Sequence, residues 1–163
     1  MMKCGKGFKI VSLIEDIETT LIDKLQSALP ELTVEAFPDN PAEYEFIHPL
    51  GAVLVQYEST RFDGDYALAF TAQPATITFA VVSLTRSLRS HSGCYDVLER
   101  IRNAILGLKI PGLEQVKQTD ERFSAEEDGV WSYLQTFAVK ALVLQQPPNY
   151  HAQDPYYDGQ EDI

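Results

Sequence analysis

Residues 75–107 organise the rest of the chain, and they read ATITFAVVSLTRSLRSHSGCYDVLERIRNAILG. Residues 76–82 are apolar and rich in β-branched side chains, which predicts a buried strand. A basic loop follows, after which apolar residues recur at steps of one, three, three, one and three: Val97, Leu98, Ile101, Ala104, Ile105 and Leu108. This spacing places all six on one face of a helix that ends near Gly107. Because the apolar faces of this strand and helix must be buried, we expect the other helices and strands to pack against them.

A first amphipathic helix is predicted from about Leu13 to Leu29. Ser12, followed three residues later by Glu15, is typical of a capping box, and Pro30 ends the pattern. The apolar residues that keep the helical period are Leu13, Ile14, Ile17, Leu21, Ile22, Leu25, Ala28 and Leu29. Together with the central strand and helix, this stripe predicts a core that contains Ile17, Leu21, Ile77, Phe79, Val81, Ile101 and Ile105.

The remaining apolar segments predict further strands. With the central one, the predicted strands are residues 32–37, 51–57, 76–82, 113–123 and 130–144. Polar residues 58–74, which include Gly64 and Pro74, are interpreted as a long connection. The sequence EEDG at 126–129 supplies the turn of a hairpin between the last two strands. In the last strand, Gln135 interrupts an otherwise apolar face.

The predicted order is therefore helix, strand, strand, strand, helix, strand, strand. We expect a single α+β domain built as a two-layer sandwich. Both helices would cover one face of a mixed or antiparallel sheet of about four or five strands.

The size of the chain fits one domain. Its 163 residues, of which 45% are hydrophobic, are enough to bury a core. We assign residues 12–145 to the domain, 1–11 to an N-terminal extension and 146–163 to an acidic C-terminal tail rich in Pro and Tyr. No apolar run approaches the roughly 20 residues that span a bilayer. No signal-peptide pattern follows the basic N-terminus, so we expect cytoplasmic synthesis and no membrane partner.

The charge is acidic and unevenly distributed. A formal net charge of -11 argues against specific nucleic-acid binding, which needs clustered Lys and Arg. Residues 10–60 contain ten acids and one base, for a charge of -9, whereas residues 61–110 contain four acids and six bases, for +2. Either these stretches are ordinary solvated surface, or two unlike faces meet in a homo-oligomer.

The cysteines and histidines give little catalytic signal. Cys4 and Cys94 imply no disulfide framework. Cys94 lies at the start of the second helix, where the helix dipole lowers a thiol pKa, and His91 is close in sequence. A catalytic Cys–His pair would still need an orienting acid, and none can be assigned, so a semi-buried structural cysteine is favoured. We expect Cys94 to be dispensable, and we assign no catalytic residue.

Metal and phosphate sites are not indicated either. His48, His91 and His151 are far apart and lack zinc-ligand spacing. The sequence DGD at 63–65 is too short for a calcium loop, and a phosphate-binding glycine loop is missing. We therefore expect no metal and no cofactor.

The arginines are the candidate contact residues. Arg86, Arg89, Arg100 and Arg102 could bind an anion or an acidic partner surface, although each one singly is more often solvated. They are our candidates for a subunit interface. An alternative function is a small cytoplasmic enzyme or ligand-binding domain that uses the arginine-rich loop and Cys94, and a third is a bacterial adaptor protein.

Over about residues 10–145, the chain resembles the Mu-like phage and prophage tail-protein family, whose members resemble the tail terminator (tail completion) proteins of long-tailed phages. The features that carry the resemblance are packing motifs: the first helix with Leu25 and Leu29-Pro30, residues 51–57, 77–82, 93–98 and 104–107, the Phe123 region and residues 129–133.

The resemblance implies a non-enzymatic virion component. Such a protein caps the end of the tail tube and joins it to the head, commonly as a hexameric ring of identical subunits. The implied partners are further copies of itself, the tail tube and head-completion proteins. The implied location is the cytoplasm of the bacterial host and then the virion tail.

Overall fold

The computed structural model describes residues 12–64, 66–67 and 71–145. In chain order, the elements are α1 (Leu13–Ala28), β1 (Thr33–Ala36), a 3-10 turn (Pro41–Glu43), β2 (Gly51–Phe62), β3 (Tyr66–Ala67), β4 (Thr71–Thr85), α2 (Cys94–Ile105), β5 (Lys117–Glu127) and β6 (Val130–Leu144). The predicted extension 1–11 and tail 146–163 lie outside the described residues.

The strands form one mixed sheet in the order β1-β2-β4-β6-β5, and the two-residue β3 pairs with the start of β4. β1 runs parallel to β2, whereas the other pairs are antiparallel. Both helices lie on one face, with α1 over β1 and β2 and α2 over β4 and β6. This architecture confirms the predicted two-layer α+β sandwich and its element order.

The first helix begins and ends as its sequence predicts. The Ser12 side chain accepts a hydrogen bond from the Glu15 backbone N–H at 3.1 Å, and the Glu15 carboxylate accepts one from the Ser12 N–H at 3.4 Å. These two bonds satisfy amides that the first turn leaves without helical partners. The capping box is therefore confirmed.

Strand β4 lies at the centre of the core. Phe79 pairs in register with Tyr57 of β2 on one side and with Phe137 of β6 on the other. Ile101 and Ile105 of α2 are fully buried in the same cluster. All seven residues predicted for the core are at most 3% exposed.

The prediction of a long connection at 58–74 is wrong at both ends. Residues 58–62 belong to β2 and residues 71–74 to β4, so that the two strands form a long hairpin. Thr60 pairs with Ile77, and Phe62 pairs with Ala75. The extension of β2 beyond Tyr57 is mostly exposed, and backbone hydrogen bonds to β4 hold it in the sheet. Its sequence therefore lacks the apolar periodicity that marks a buried strand.

The fifth strand is displaced from its predicted position. It runs from Lys117 to Glu127, whereas Leu113 and Val116 belong to the preceding loop and are buried in the core.

The predicted turn between the last two strands is correct: Asp128 and Gly129 both have positive φ, at 51° and 78°. Two positive φ values are what a two-residue type I′ hairpin requires, which explains the glycine.

Replacing a buried helix residue tests the dependence of the fold on the helix–sheet contact. Ile101→Ala should lower the free energy of unfolding by about 2–5 kcal/mol, because it opens a cavity between α2 and the sheet. Urea unfolding followed by circular dichroism measures this change. Leu106→Ala, at a position that is 52% exposed, is the control and should change stability by less than about 0.5 kcal/mol. Equal effects of the two substitutions would contradict the described packing.

Candidate functional site

The arginine loop, residues 86–93, joins β4 to α2 and is held by its own backbone. The N–H groups of Cys94 and Tyr95 donate to the carbonyls of Ser87 and Leu88 at 2.8 and 3.0 Å. These bonds satisfy the first amides of α2. A side chain at Gly93 would clash with the backbone of Ser90, whose carbonyl oxygen lies 2.7 Å from an added Cβ. The loop therefore presents its arginines from a defined backbone.

Arg86 and Arg89 are both exposed, and neither belongs to an ion pair among the described residues. The Arg86 guanidinium lies 4.7 Å from the ring centroid of Phe46, and its Nε donates to the His48 carbonyl at 3.2 Å. Arg89 lies 5.7 Å from the ring centroid of Tyr95. Both guanidinium groups are oriented by aromatic faces and keep donors available for a partner.

Arg100 has a structural role within the chain. Its guanidinium forms an ion pair with Glu31, lies 3.4 Å from Asp96, and donates to the Ala28 carbonyl at 3.0 Å. These contacts fasten the end of α1 to α2. The hydrogen bond from Arg100 is the largest cause that lowers the pKa of Glu31 from 4.5 to about 2.

Arg102 belongs to a second polar cluster, between α2 and β5. It donates to Gln118 at 3.0 Å and to Glu121 at 2.6 Å. The buried Gln135 also donates to Glu121, at 2.8 Å, and to the Leu98 carbonyl at 3.0 Å. Gln118 donates to Glu121 as well, at 2.9 Å. Burial opposes ionisation of Glu121, but the hydrogen bonds from Gln118, Arg102 and Gln135 outweigh it and hold the pKa of Glu121 below its usual value. Arg100 and Arg102 thus stabilise the fold, and their predicted interface role stays a prediction.

A partly exposed aromatic surface lies beside the first turn of α2, on the outer strands β5 and β6. We call it the aromatic shelf and define it by Tyr95, Phe123, Trp131 and Tyr133. The Phe123 ring centroid lies 5.5 Å from that of Tyr133 and 6.2 Å from that of Trp131, and Tyr95 lies 6.5 Å from Tyr133. Tyr95 is 44% exposed and Phe123 is 51% exposed. Arg89 stands at one margin of the shelf, against Tyr95.

This shelf was not predicted as a site. The sequence predicts strands at 113–123 and 130–144, which contain Phe123, Trp131 and Tyr133, but it does not indicate that their side chains form an exposed surface. The signal that could have indicated the shelf is that Trp131 and Tyr133 lie on one face of β6, opposite Phe123 of β5 in the same hairpin. Whether such a face is covered depends on where α2 lies, which the sequence does not reveal.

Cys94 is the first residue of α2, as predicted, and it is fully buried. Burial raises the pKa of its thiol, more than a hydrogen bond from Thr85 lowers it. The helix dipole was expected to lower this pKa, so that expectation is wrong and desolvation dominates. Cys94 is fully buried rather than semi-buried as expected, and its structural role stays a prediction.

A groove of about 610 Å³ lies on the sheet face opposite the helices. It is open to solvent, and Tyr44, Phe46, Leu84, Arg86 and Glu127 are among its lining residues. Cys94 is not one of them, so the groove does not join the thiol to the arginines. This groove therefore does not bring Cys94 together with Arg86, a combination that the alternative enzyme function would use.

Two further observations concern the described part of the chain. Within residues 12–64, 66–67 and 71–145, no three His, Cys, Asp or Glu side chains converge as metal ligands would. In the same ranges, neither helix is long and apolar enough to cross a bilayer.

The described residues thus form a two-layer α+β domain that exposes an arginine loop and an aromatic shelf. The Gp37 protein family model matches residues 21–154, which is most of the chain. The chain therefore belongs to the Gp37 protein family. No curated protein matches it.

The chain also shares its fold with solved structures. One of them is a chain of the virion of a native gene transfer agent particle, with a TM-score of 0.52 and 10% sequence identity. The match covers 82% of this chain and 100% of that chain. At this identity, the comparison establishes the common fold.

The Glu31–Arg100 pair should make stability depend on pH. The pKa of Glu31 is lowered on folding, so its stabilisation is complete above 4.5 and is lost as the pH falls through 4.5 towards 2. Glu31→Gln should reduce stability at pH 7 by about 1–2 kcal/mol, a modest effect because about a quarter of each side chain is exposed. Urea unfolding at a series of pH values should show the variant and wild type converging at acid pH.

Glu99→Gln is the control for this measurement. Glu99 is an exposed carboxylate of α2 that takes part in none of the described ion pairs. A difference between wild type and Glu31→Gln that stays constant from pH 7 to acid pH would contradict the assignment.

Cys94 should be unreactive in the folded protein. In a Cys4→Ser chain, Cys94 is the sole thiol, and it should react with Ellman's reagent at least tenfold more slowly before than after unfolding, because it is buried. A Glu99→Cys control in the Cys4→Ser/Cys94→Ser background should react rapidly when folded. Cys94→Ser should keep the fold and assembly, so a folded variant that fails to assemble would overturn the structural role.

Proposed function

We propose that this chain is a non-enzymatic structural component of a phage-like virion. The observation that carries the proposal is the fold shared with the entire matched chain of the gene transfer agent virion. The burial of Cys94 supports the absence of a thiol-based reaction. Two exposed arginines and an uncovered aromatic shelf support a role in protein contacts, because Arg, Tyr, Trp and Phe are enriched at the centres of interfaces.

The particular role that we propose is that of a tail terminator, which caps the tail tube and joins it to the head. The resemblance of the packing motifs to tail terminator proteins supports this role. The net charge of -11 is also compatible with it, since a conduit for DNA should repel the duplex rather than hold it. On this proposal, the protein assembles in the host cytoplasm as a ring, commonly of six copies, and contacts the tail tube and head-completion proteins.

The arginine loop is our candidate for a contact that this role requires. In a particle-forming strain that lacks the gene, wild type should restore joined tails, whereas Arg86→Glu/Arg89→Glu should reduce the yield of complete particles at least tenfold. Reversing two exposed charges changes partner recognition more than it changes the fold. Electron microscopy and particle titre measure the outcome.

Arg61→Glu is the matched control, because Arg61 is exposed at the opposite end of the sheet, beside Asp63. Full rescue by the double reversal would show that the arginine loop is ordinary surface. Normal tails in the strain without the gene would refute the terminator role itself.

A further inference from the structure

Carboxylates border the aromatic shelf on the side of the β5–β6 turn. Glu126 of β5 pairs in register with Trp131 of β6, so the two side chains are neighbours on the same face of the sheet. Glu127 and Asp128 follow in the chain and line the groove on the opposite face, and all three acids are exposed. The Trp131 end of the shelf is therefore acidic.

The Glu126 carboxylate is held in position by the turn. Its Oε1 accepts a hydrogen bond from the Gly129 N–H at 2.8 Å. Glu126 takes part in none of the ion pairs among the described residues, so no cation of the described chain neutralises its charge. A fixed carboxylate beside an indole ring is a suitable contact for a cation, because the face of the ring also attracts positive charge.

A second carboxylate borders the shelf from α2. Glu99 lies one helical turn after Tyr95, on the same side of the helix, and it is exposed. Arg102, about one further turn along, donates to Gln118 and Glu121 of β5, which shows that this side of α2 faces β5. Arg102 forms its ion pair with Glu121, whereas Glu99 is in none of the described ion pairs. The negative charge of Glu99 is therefore also available to a partner.

The charges that the described residues place around the shelf are mostly negative. Against these exposed acids stands Arg89, whose guanidinium already lies 5.7 Å from the ring centroid of Tyr95. Phe123 and Trp131 lie toward the acidic end, with their ring centroids 6.2 Å apart, and Phe123 is about half exposed. This end of the shelf combines open aromatic area with negative charge, which suits a positively charged partner.

The geometry points to the aromatic shelf as a docking site for a basic segment of another protein. Lys or Arg side chains of that segment lie over the Trp131 ring and face Glu126 and Glu99. Their aliphatic stems, with apolar neighbours, cover Phe123. The apolar contact supplies affinity, and the charges set the orientation. The inference rests on the proposed function in one respect, since it names the class of partner for one surface of a virion component.

Two observations favour this occupant over a second copy of the chain or an added strand. The chain has a formal net charge of -11, so like charges oppose the approach of a second copy to an acidic surface. β5 is a poor template for strand addition, because it carries two register shifts and many charged residues. The shelf is therefore suited to side chains of a basic partner.

Fluorescence of Trp131, the only tryptophan in the chain, reports binding at the shelf. The probe is a short amphipathic peptide of Leu, Ala and Arg, and its twin has Glu in place of every Arg. The basic peptide should change the Trp131 emission and bind about tenfold more tightly than the twin. Glu126→Gln/Glu99→Gln should weaken its binding about fivefold, because two facing charges are lost.

The matched control is Glu58→Gln/Asp23→Asn, which removes the same net charge at two exposed positions on β2 and α1. This variant should bind the basic peptide as wild type does. Equal weakening in both variants would show that only the net charge of the chain matters. That result, unchanged affinity in the shelf variant, or tighter binding of the acidic twin would each overturn the inference.

Photocrosslinking in particle-producing cells tests the same site in the assembled state. Benzoylphenylalanine in place of Phe123 should link this chain to a different protein, at a segment in which Lys and Arg outnumber Asp and Glu. Glu126→Lys should reduce the yield of that adduct about tenfold, whereas Glu58→Lys should leave it unchanged. The same label in place of Phe62, which is 53% exposed at the far end of β2, should give no link to that segment. A link to another copy of this chain, a link to an acidic segment or the absence of an adduct would contradict the inference.

The outcomes separate this inference from the proposed function. Normal tails without the gene, together with selective binding of the basic peptide at the shelf, would refute the terminator role and support the docking site. Failed tails without the gene, together with equal peptide affinities of the shelf and control variants, would have the opposite meaning.

Discussion

The packing of α2 on β4 is the contact on which the rest of the structure depends. Phe79 lies between Tyr57 and Phe137 in the sheet, and Ile101 and Ile105 cover the same cluster from the helix layer. α2 packs over β4 and β6 and reaches β5 through Arg102, while Phe123, farther along β5, stays about half exposed. The core contact therefore also determines where the exposed aromatic shelf lies.

Polar contacts at the margins of this core fix the helices in place. Arg100 connects α2 to Glu31 after α1, while Arg102 and Gln135 meet at Glu121 between α2 and β5. These bonds connect residues of α2 to the end of α1 and to the outer strands, so a shift of the helix would break them. Arg86 and Arg89, outside these clusters, remain available for contacts with a partner. Because Arg100 and Arg102 are engaged within the chain and Arg86 and Arg89 are not, the arginine loop is a better candidate for an interface than α2 is.

The sequence predicts the buried part of the fold well. Both helices follow from a 3.6-residue apolar period, and the final hairpin follows from the glycine of its turn. The extension of β2 beyond Tyr57 was missed because its residues are exposed and are held by backbone pairing. The role of Arg100 was not predictable either, since its partner Glu31 is 69 residues away in the chain. The shelf could not be predicted because exposure of Phe123 depends on how far α2 covers the sheet.

Our account connects a family, a fold and a proposed place in a particle. The fold leaves the arginine loop exposed at one end of the sheet, where Arg86 and Arg89 form no ion pair with the described residues. Cryo-electron microscopy of the particles at the junction of head and tail tests this account most directly. The account predicts this fold at the junction, with the arginine loop of this chain at a contact with a neighbouring protein. A junction built without this chain, or one in which the arginine loop faces solvent, would contradict it.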